Sequence, residues 1–127
     1  MADHKSAAEF VATLFLALDM AHRAHLAVDG PGSFAKHEAL GGFYAAVVGL
    51  ADAFAETYQG RFDVLFDIPL LDAPQESDIM AALESQREWI RKTRYEMIPK
   101  DESPLQNIID EIEALYSRTR YKLMRLK

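Results

Sequence analysis

The sequence predicts an all-α protein that folds as one antiparallel four-helix bundle. Four stretches of about 20 residues place apolar side chains three or four positions apart, which is the period of an amphipathic helix. Glycine and proline clusters separate these stretches, and the strand signal is weak. A chain of 127 residues suits a single domain, so residues 1–127 are expected to share one core.

The first helix is predicted at about residues 6–28. Ser6 and Glu9 form a capping-box pattern, with a hydroxyl three residues before a carboxylate. The Asp-Gly-Pro-Gly sequence at 29–32 ends this helix, because two glycines and a proline do not continue it.

The second helix is predicted at about residues 33–59, with Ser33 as its cap and Gly60 as a C-terminal glycine. Gly41, Gly42 and Gly49 fall inside it. Each glycine costs up to about 1 kcal/mol against alanine, so we expect close backbone packing along this helix.

The third helix is predicted at about residues 76–98, opened by Glu76 or Ser77 and ending before Pro99. The fourth is predicted at about residues 103–125. Its start combines a capping serine, a proline at the first helical position and a glutamine that completes a capping box, at Ser103, Pro104 and Gln106.

The connection at residues 61–75 is too apolar for a solvated loop, yet Pro69 and Pro74 argue against a regular helix. Connections of this length usually carry a function or their own packing. Two interpretations stay open: the segment folds over the core of its own chain, or it forms a contact between subunits.

The composition excludes several classes of function. The chain has no cysteine, so it forms no disulfide or thiolate metal site. Its net charge of −6 makes nucleic-acid binding unfavourable, and the cations near the C-terminus are expected to complement a helix dipole. No phosphate-binding loop, nucleophile elbow or His-Glu-x-x-His motif occurs. No apolar run approaches the roughly 20 residues of a membrane span, so we expect a cytoplasmic protein without a membrane partner. We expect no organic cofactor.

Histidines and carboxylates form a spaced pattern that suits a metal site. His22 and His25 are three residues apart and share a helix face, as do Asp52 and Glu56, which are four apart. His37 lies about 22 Å from Asp52 by helical rise, so a shared ion would have to bind between subunits.

Two further observations limit the metal site. Glu-x-x-His is absent, which excludes the usual di-iron centre within one bundle. The remaining histidine, His4, is assigned to an N-terminal tail without a role.

The stretch from His25 to Glu38, followed by Asp52 and Glu56, resembles the iron site of the Dps family of mini-ferritins. The resemblance implies a ferritin-like bundle that assembles at least as a two-fold dimer. It further implies that His25 and His37 of one subunit and Asp52 and Glu56 of its partner hold Fe(II), with Zn(II) or Mn(II) as alternatives. Oxidation of the iron by oxygen or peroxide, a ferroxidase activity, is the implied reaction.

Two positions depart from the Dps pattern. Leu26 replaces a tryptophan, and Gly41 replaces an aspartate, so one acidic ligand is missing.

A second set of residues resembles an uncharacterised family of ferritin-like proteins encoded by bacteriophages. It includes His22 with His25, the segment from Ser33 to Leu40, and the segment from Glu56 to Gly60. This resemblance makes His22 a further metal-ligand candidate and implies no activity. It supports an alternative function, a structural or adaptor protein with a degenerate metal site, a phage partner and a place in the virion.

Overall fold

The computed structural model describes residues 2–73 and 78–127, and it confirms the predicted fold class. Four helices are present, and the described residues contain no strand. They are α1 (His4–Ala27), α2 (Ser33–Phe62), α3 (Ile79–Met97) and α4 (Ser103–Arg125). The predicted centres of all four helices are therefore correct.

Each helix packs against two neighbours, and every neighbouring pair is antiparallel. Helix α1 lies between α2 and α3, and α4 closes the bundle on the opposite side. The start of α1 meets the end of α3, where the Asp3 amide donates to the Met97 carbonyl at 2.9 Å. Arg61 near the end of α2 pairs with Glu102 before α4. Helices α2 and α3 are thus diagonal, so the connection between them must cross the bundle lengthwise.

The described part of that connection, residues 63–73, passes the start of α1 and alternates its side chains between partly buried and exposed positions. Val64, Phe66 and Ile68 pack against the core, whereas Leu65 and Leu70 are exposed. The Phe66 amide donates to the Gln59 side chain at 2.9 Å, which fixes the start of the segment. The segment therefore covers its own core with one edge and leaves the other edge open.

The core itself is aromatic and apolar. Phe10 and Phe54 pack edge to face with ring centroids 4.8 Å apart, as do Phe43 and Tyr116 at 5.1 Å. The Tyr116 hydroxyl donates to the Gln86 side chain at 2.9 Å. The buried polar side chains of the described residues are Arg94, Gln106 and Thr119, so no carboxylate or imidazole is among them.

The predicted start of α1 was wrong, because Asp3 and not Ser6 caps the helix. The Asp3 carboxylate accepts from the Ser6 amide at 3.1 Å and from the Ser6 hydroxyl at 2.8 Å. These bonds hold the pKa of Asp3 below its usual value. A carboxylate beside the first helical N–H groups is a stronger acceptor than a hydroxyl, so α1 begins at His4.

The glycine turn between α1 and α2 forms as predicted, with a different cap. Gly30 and Gly32 have φ values of 86° and 81°, which only glycine adopts without strain. Gly32 occupies the cap position and Ser33 is the first helical residue, so the predicted Ser33 cap was wrong. The turn is tight enough to bring the end of α1 against the start of α2.

Helix α2 extends past its predicted end at about residue 59, continues through Gly60 and stops at Phe62, where Asp63 takes a left-handed conformation with φ 53°. By length and composition alone α2 could cross a membrane, but the core helices of soluble proteins can have the same length and composition. Only 33% of its most apolar window is buried, since α2 packs on α1 and α4 and leaves one face open.

Helices α3 and α4 have different caps from those predicted. The predicted openings of the third helix at Glu76 or Ser77 lie outside the described residues, and the cap found is Asp78, whose carboxylate accepts from the Met80 amide. Helix α4 has its predicted bounds, but Glu102 precedes it without a side-chain capping bond. Gln106 does not complete a capping box, because its side chain is buried against Arg94.

Candidate metal centre

The end of α1 and the start of α2 bring His25 and His37 into direct contact. Their imidazole rings stack with centroids 3.6 Å apart and planes inclined by 20°. Nδ1 of His25 donates to the His37 carbonyl at 2.7 Å, and Nδ1 of His37 donates to the His25 carbonyl at 2.8 Å. The two residues are therefore bonded reciprocally, and we call them the histidine pair.

The position of His25 at the end of α1 explains one of the two hydrogen bonds, the one that the His25 carbonyl accepts. The His25 carbonyl is among the last four of α1, which have no partner within the helix, so the His37 ring satisfies it. The paired rings also close the glycine turn, because they join the two helices on either side of it.

The reciprocal bonds fix the tautomer of both rings. A carbonyl oxygen only accepts, so Nδ1 of each neutral imidazole carries the proton and Nε2 holds the lone pair. No described residue forms a hydrogen bond to either Nε2. An imidazole whose other nitrogen donates to a backbone carbonyl is in the usual arrangement of a metal-binding histidine, so both rings fit a divalent ion.

His22 belongs to the same surface but not to the pair. Its ring stacks on Tyr44 with centroids 4.3 Å apart, and its centroid lies 6.3 Å from that of His25. Tyr44 also meets His25 edge-on at 5.3 Å. His22 is exposed and His25 is half-buried, so His22 lies on the solvent side of the histidine pair.

Gly41 lies directly against the His25 ring. A Cβ atom on Gly41 would lie 3.0 Å from Cε1 and 3.2 Å from Nδ1 of His25, closer than packed atoms normally approach. The position where the Dps pattern has an aspartate is thus filled by the His25 ring.

The predicted carboxylates lie elsewhere on the same helix. Asp52 and Glu56 are exposed near the C-terminal end of α2, and neither forms an ion pair or hydrogen bond with a described residue. No group of three or more His, Asp or Glu side chains within residues 2–73 and 78–127 could hold a metal. A single chain therefore separates the imidazoles from the carboxylates.

The stacking also limits what the histidine pair can do alone. Because the ring planes are nearly parallel, an ion in the plane of one imidazole lies well out of the plane of the other. Each Nε2 can bind an ion, but one ion cannot use both lone pairs unless a ring rotates. Further ligands must come from outside the pair.

Several polar contacts were missed at the sequence level. The prediction that His4 belongs to a tail without a role was wrong, since His4 is the first residue of α1 and its Nδ1 lies 2.5 Å from the Tyr58 hydroxyl. Burial, together with the negative charge of Asp3, raises the pKa of Tyr58 to about 12.

Tyr44 is a neighbour of the candidate site that the sequence could have indicated, because it lies seven residues after His37 on the same helix face.

Comparison with known proteins gives a family of unknown function. No curated protein and no solved structure matches the chain. A family model matches residues 25–123, a range that includes His25, His37, Asp52 and Glu56 and starts after His22. The chain belongs to this family, DUF5856, which is described as a family of unknown function.

Proposed function

We propose that the protein binds a divalent metal ion, Fe(II) or the similar Zn(II) or Mn(II), between two copies of the chain. His25 and His37 of one copy and Asp52 and Glu56 of the other would supply the ligands, with His22 as a further ligand candidate. One ring of the histidine pair would turn out of the stack so that both Nε2 atoms reach the same ion. The observation that carries the proposal is the histidine pair, whose fixed tautomers leave both Nε2 lone pairs available.

The exposed face of α2 supports a dimer of the required geometry. Two α2 helices that pack antiparallel around Ala45 would place His37 of each copy level with Asp52 of the other. The residues near the centre of this face are small, namely Gly42, Ala45 and Gly49, so the helices can approach closely. Two-fold symmetry then creates two identical sites per dimer.

Apolar side chains beside the histidine pair support the same contact. Leu26 and Phe34 flank the glycine turn and are 72% and 76% exposed. Val48 on the open face of α2 is 41% exposed. Exposed apolar side chains that adjoin a candidate site favour burial against a partner.

Charge explains why an ion would be needed. Glu38 is exposed next to His37, so facing copies would bring three carboxylates toward each histidine pair. Uncompensated carboxylates repel one another, and a divalent cation removes that repulsion. We therefore expect the metal to promote dimerisation.

The topology agrees with the resemblance that implies this function. A bundle with one long crossover, here between α2 and α3, is the connection pattern of ferritin-like proteins. If Fe(II) is the ion and peroxide the oxidant, two Fe(II) ions each give up one electron. The peroxide takes up those electrons and two protons and leaves as water.

Complementation between variants tests the shared site. His37→Ala and Asp52→Asn should each abolish tight binding of anaerobic Fe(II) measured by native mass spectrometry. An equimolar mixture of the two variants should recover about a quarter of the wild-type sites, because each mixed dimer rebuilds one intact site. Binding that survives in both single variants, or a mixture that recovers nothing, would contradict the proposal.

The alternative is a structural or adaptor protein with a degenerate metal site and a phage partner, in the virion or the host cytoplasm. The Gly41 position, which lacks the expected acid, and the exposed edge of the connection favour it. An oligomer whose size ignores Fe(II), Zn(II) and Mn(II), and which shows no iron oxidation, would support this alternative.

A further inference from the structure

Gly41 admits two opposite explanations. As a departure from the Dps pattern it is a lost ligand, and its replacement by an acid should restore binding. As part of this structure it is the surface on which the His25 ring lies, and any side chain there should displace the ring.

We infer that Gly41 is a positioning residue, whose missing side chain lets His25 form the histidine pair. This inference rests on the proposed metal-binding function and concerns how its imidazoles are held. It gives the site a different construction from one in which position 41 supplies a ligand.

The helix geometry shows why this position matters. Residue 41 lies one turn after residue 37, so its Cβ would stand beside the His37 carbonyl that accepts from His25. The contacts of a Cβ at Gly41 are to Cε1 of His25 at 3.0 Å and to Nδ1 at 3.2 Å, and Nδ1 is the atom that donates to this carbonyl. A methyl group would push Nδ1 of His25 away from its acceptor.

The consequences extend to both rings. His25 stacks on His37 and also bonds to its carbonyl, so a shift of His25 disturbs the stacking and the fixed tautomer together. Without the Nδ1 bond, the proton of His25 is free to move to Nε2 and block the metal-binding lone pair.

Gly60 supplies a matched control. It lies on the same helix, and a Cβ there would meet no atom within 4 Å. Gly60→Ala changes helix propensity without touching the histidine pair, and both alanine variants should remain folded because alanine favours helix.

The first measurement uses the metal-free protein, so that it is independent of the proposed function. Nitrogen-15 NMR of the imidazoles should show the Nδ1-protonated tautomer for His25 and His37 in the wild type and in Gly60→Ala. In Gly41→Ala the His25 signal should shift toward a mixture of tautomers. An unchanged His25 signal in Gly41→Ala would overturn the inference.

The second measurement separates a positioning glycine from a lost ligand. Gly41→Ala, Gly41→Asp and Gly41→Asn should each weaken Zn(II) binding about 10-fold in titration calorimetry, as loss of a ligand-orienting contact typically does. Gly41→Asp binding Zn(II) more tightly than the wild type, while Gly41→Asn does not, would overturn the inference. If wild-type protein and Gly60→Ala bind no Zn(II), Fe(II) or Mn(II), the proposed function fails, and the NMR result still decides the role of Gly41.

Discussion

Two polar clusters join helices in this protein, and they differ in how many of their hydrogen-bonding groups are used. At the α3–α4 side, the buried Arg94 guanidinium donates to the Gln106 side chain and carbonyl and pairs with Asp110 and Glu113. At the α1–α2 side, the histidine pair uses only one nitrogen of each ring.

The difference indicates different roles for the two clusters. Burial alone would lower the pKa of Arg94, but its bonds to Asp110 and Glu113 outweigh burial and raise it. Each of the three guanidinium nitrogens of Arg94 has a partner within the bundle. The half-buried imidazoles each leave Nε2 without a hydrogen bond from a described residue, and the proposed metal site would use these two atoms.

The largest predicted loss of stability comes from removing Arg94, the centre of the polar cluster at the α3–α4 side. Arg94→Ala should lower the free energy of unfolding by about 3 kcal/mol, since it leaves Gln106 and two carboxylates without their partner. Urea unfolding followed by circular dichroism measures this change. Arg91→Ala, an exposed residue on the same helix, should cost about 0.5 kcal/mol. Equal losses in the two variants would show that the buried network contributes nothing special.

A smaller effect is expected along the α2–α3 connection, where packed and open side chains alternate. Phe66→Ser should cost about 2 kcal/mol, because Phe66 packs against the Tyr58 ring with centroids 4.8 Å apart. Leu70→Ser should leave the unfolding free energy within about 0.5 kcal/mol, because Leu70 is fully exposed. Size-exclusion chromatography of Leu70→Ser then tests the open edge as a subunit contact. An oligomer unchanged by this variant would leave the edge without that role.

Removing one member of the histidine pair should reduce stability less than removing Arg94 or Phe66. His25→Ala loses the hydrogen bond from its own Nδ1 to the His37 carbonyl and the ring stacking on His37, and it should reduce the free energy of unfolding by about 1 kcal/mol. His22→Ala, a histidine on the same face outside the pair, should change it by about 0.5 kcal/mol or less. Chemical denaturation of the metal-free variants measures both. If His22→Ala costs as much as His25→Ala, the reciprocal bonds do not stabilise the turn.

The smallest effect at neutral pH is expected from the His4–Tyr58 contact. Tyr58→Phe should cost about 1 kcal/mol or less at pH 7. The cost should shrink at alkaline pH. The pKa of Tyr58 rises from 10.0 to about 12 on folding, so above pH 10 the unfolded chain releases the proton while the folded protein keeps it. Stability from this group is full below pH 10 and is lost as the pH approaches 12.

Thermal unfolding at pH 8 and pH 11 measures this dependence. The wild type should lose more stability between these two conditions than Tyr58→Phe. A parallel loss in both proteins would assign the alkaline sensitivity to other groups, of which Tyr116 is one, because burial raises its pKa as well.

Helix centres and the glycine turn were predictable because they depend on local properties. The period of apolar residues and the positive φ of Gly30 and Gly32 require no knowledge of distant contacts. Helix ends were less predictable, since neighbouring residues compete for the same capping bonds. Asp3 caps α1 in place of Ser6, and the Gln106 side chain accepts a hydrogen bond from the buried Arg94 of another helix instead of completing a capping box.

The candidate site was predictable only in its residue types and spacing. The 12-residue interval from His25 to His37 placed both near the turn, and the structure brings them together. The reciprocal bonds and the role of Gly41 depend on how two helices approach each other across that turn, which spacing does not specify. Whether Asp52 and Glu56 complete the site depends on a second copy, and their role as ligands stays a prediction.

The diagonal placement of α2 and α3 has a consequence for how the chain folds. Helices α1 with α2 and α3 with α4 are two hairpins whose contacts lie close in sequence, and each can form early because little loop-closure entropy opposes it. Assembly of the bundle then requires the two hairpins to dock, with the residue 63–78 connection as their tether. Hydrogen exchange should therefore reveal two cooperative units, and the proposed metal site would belong entirely to the first of them.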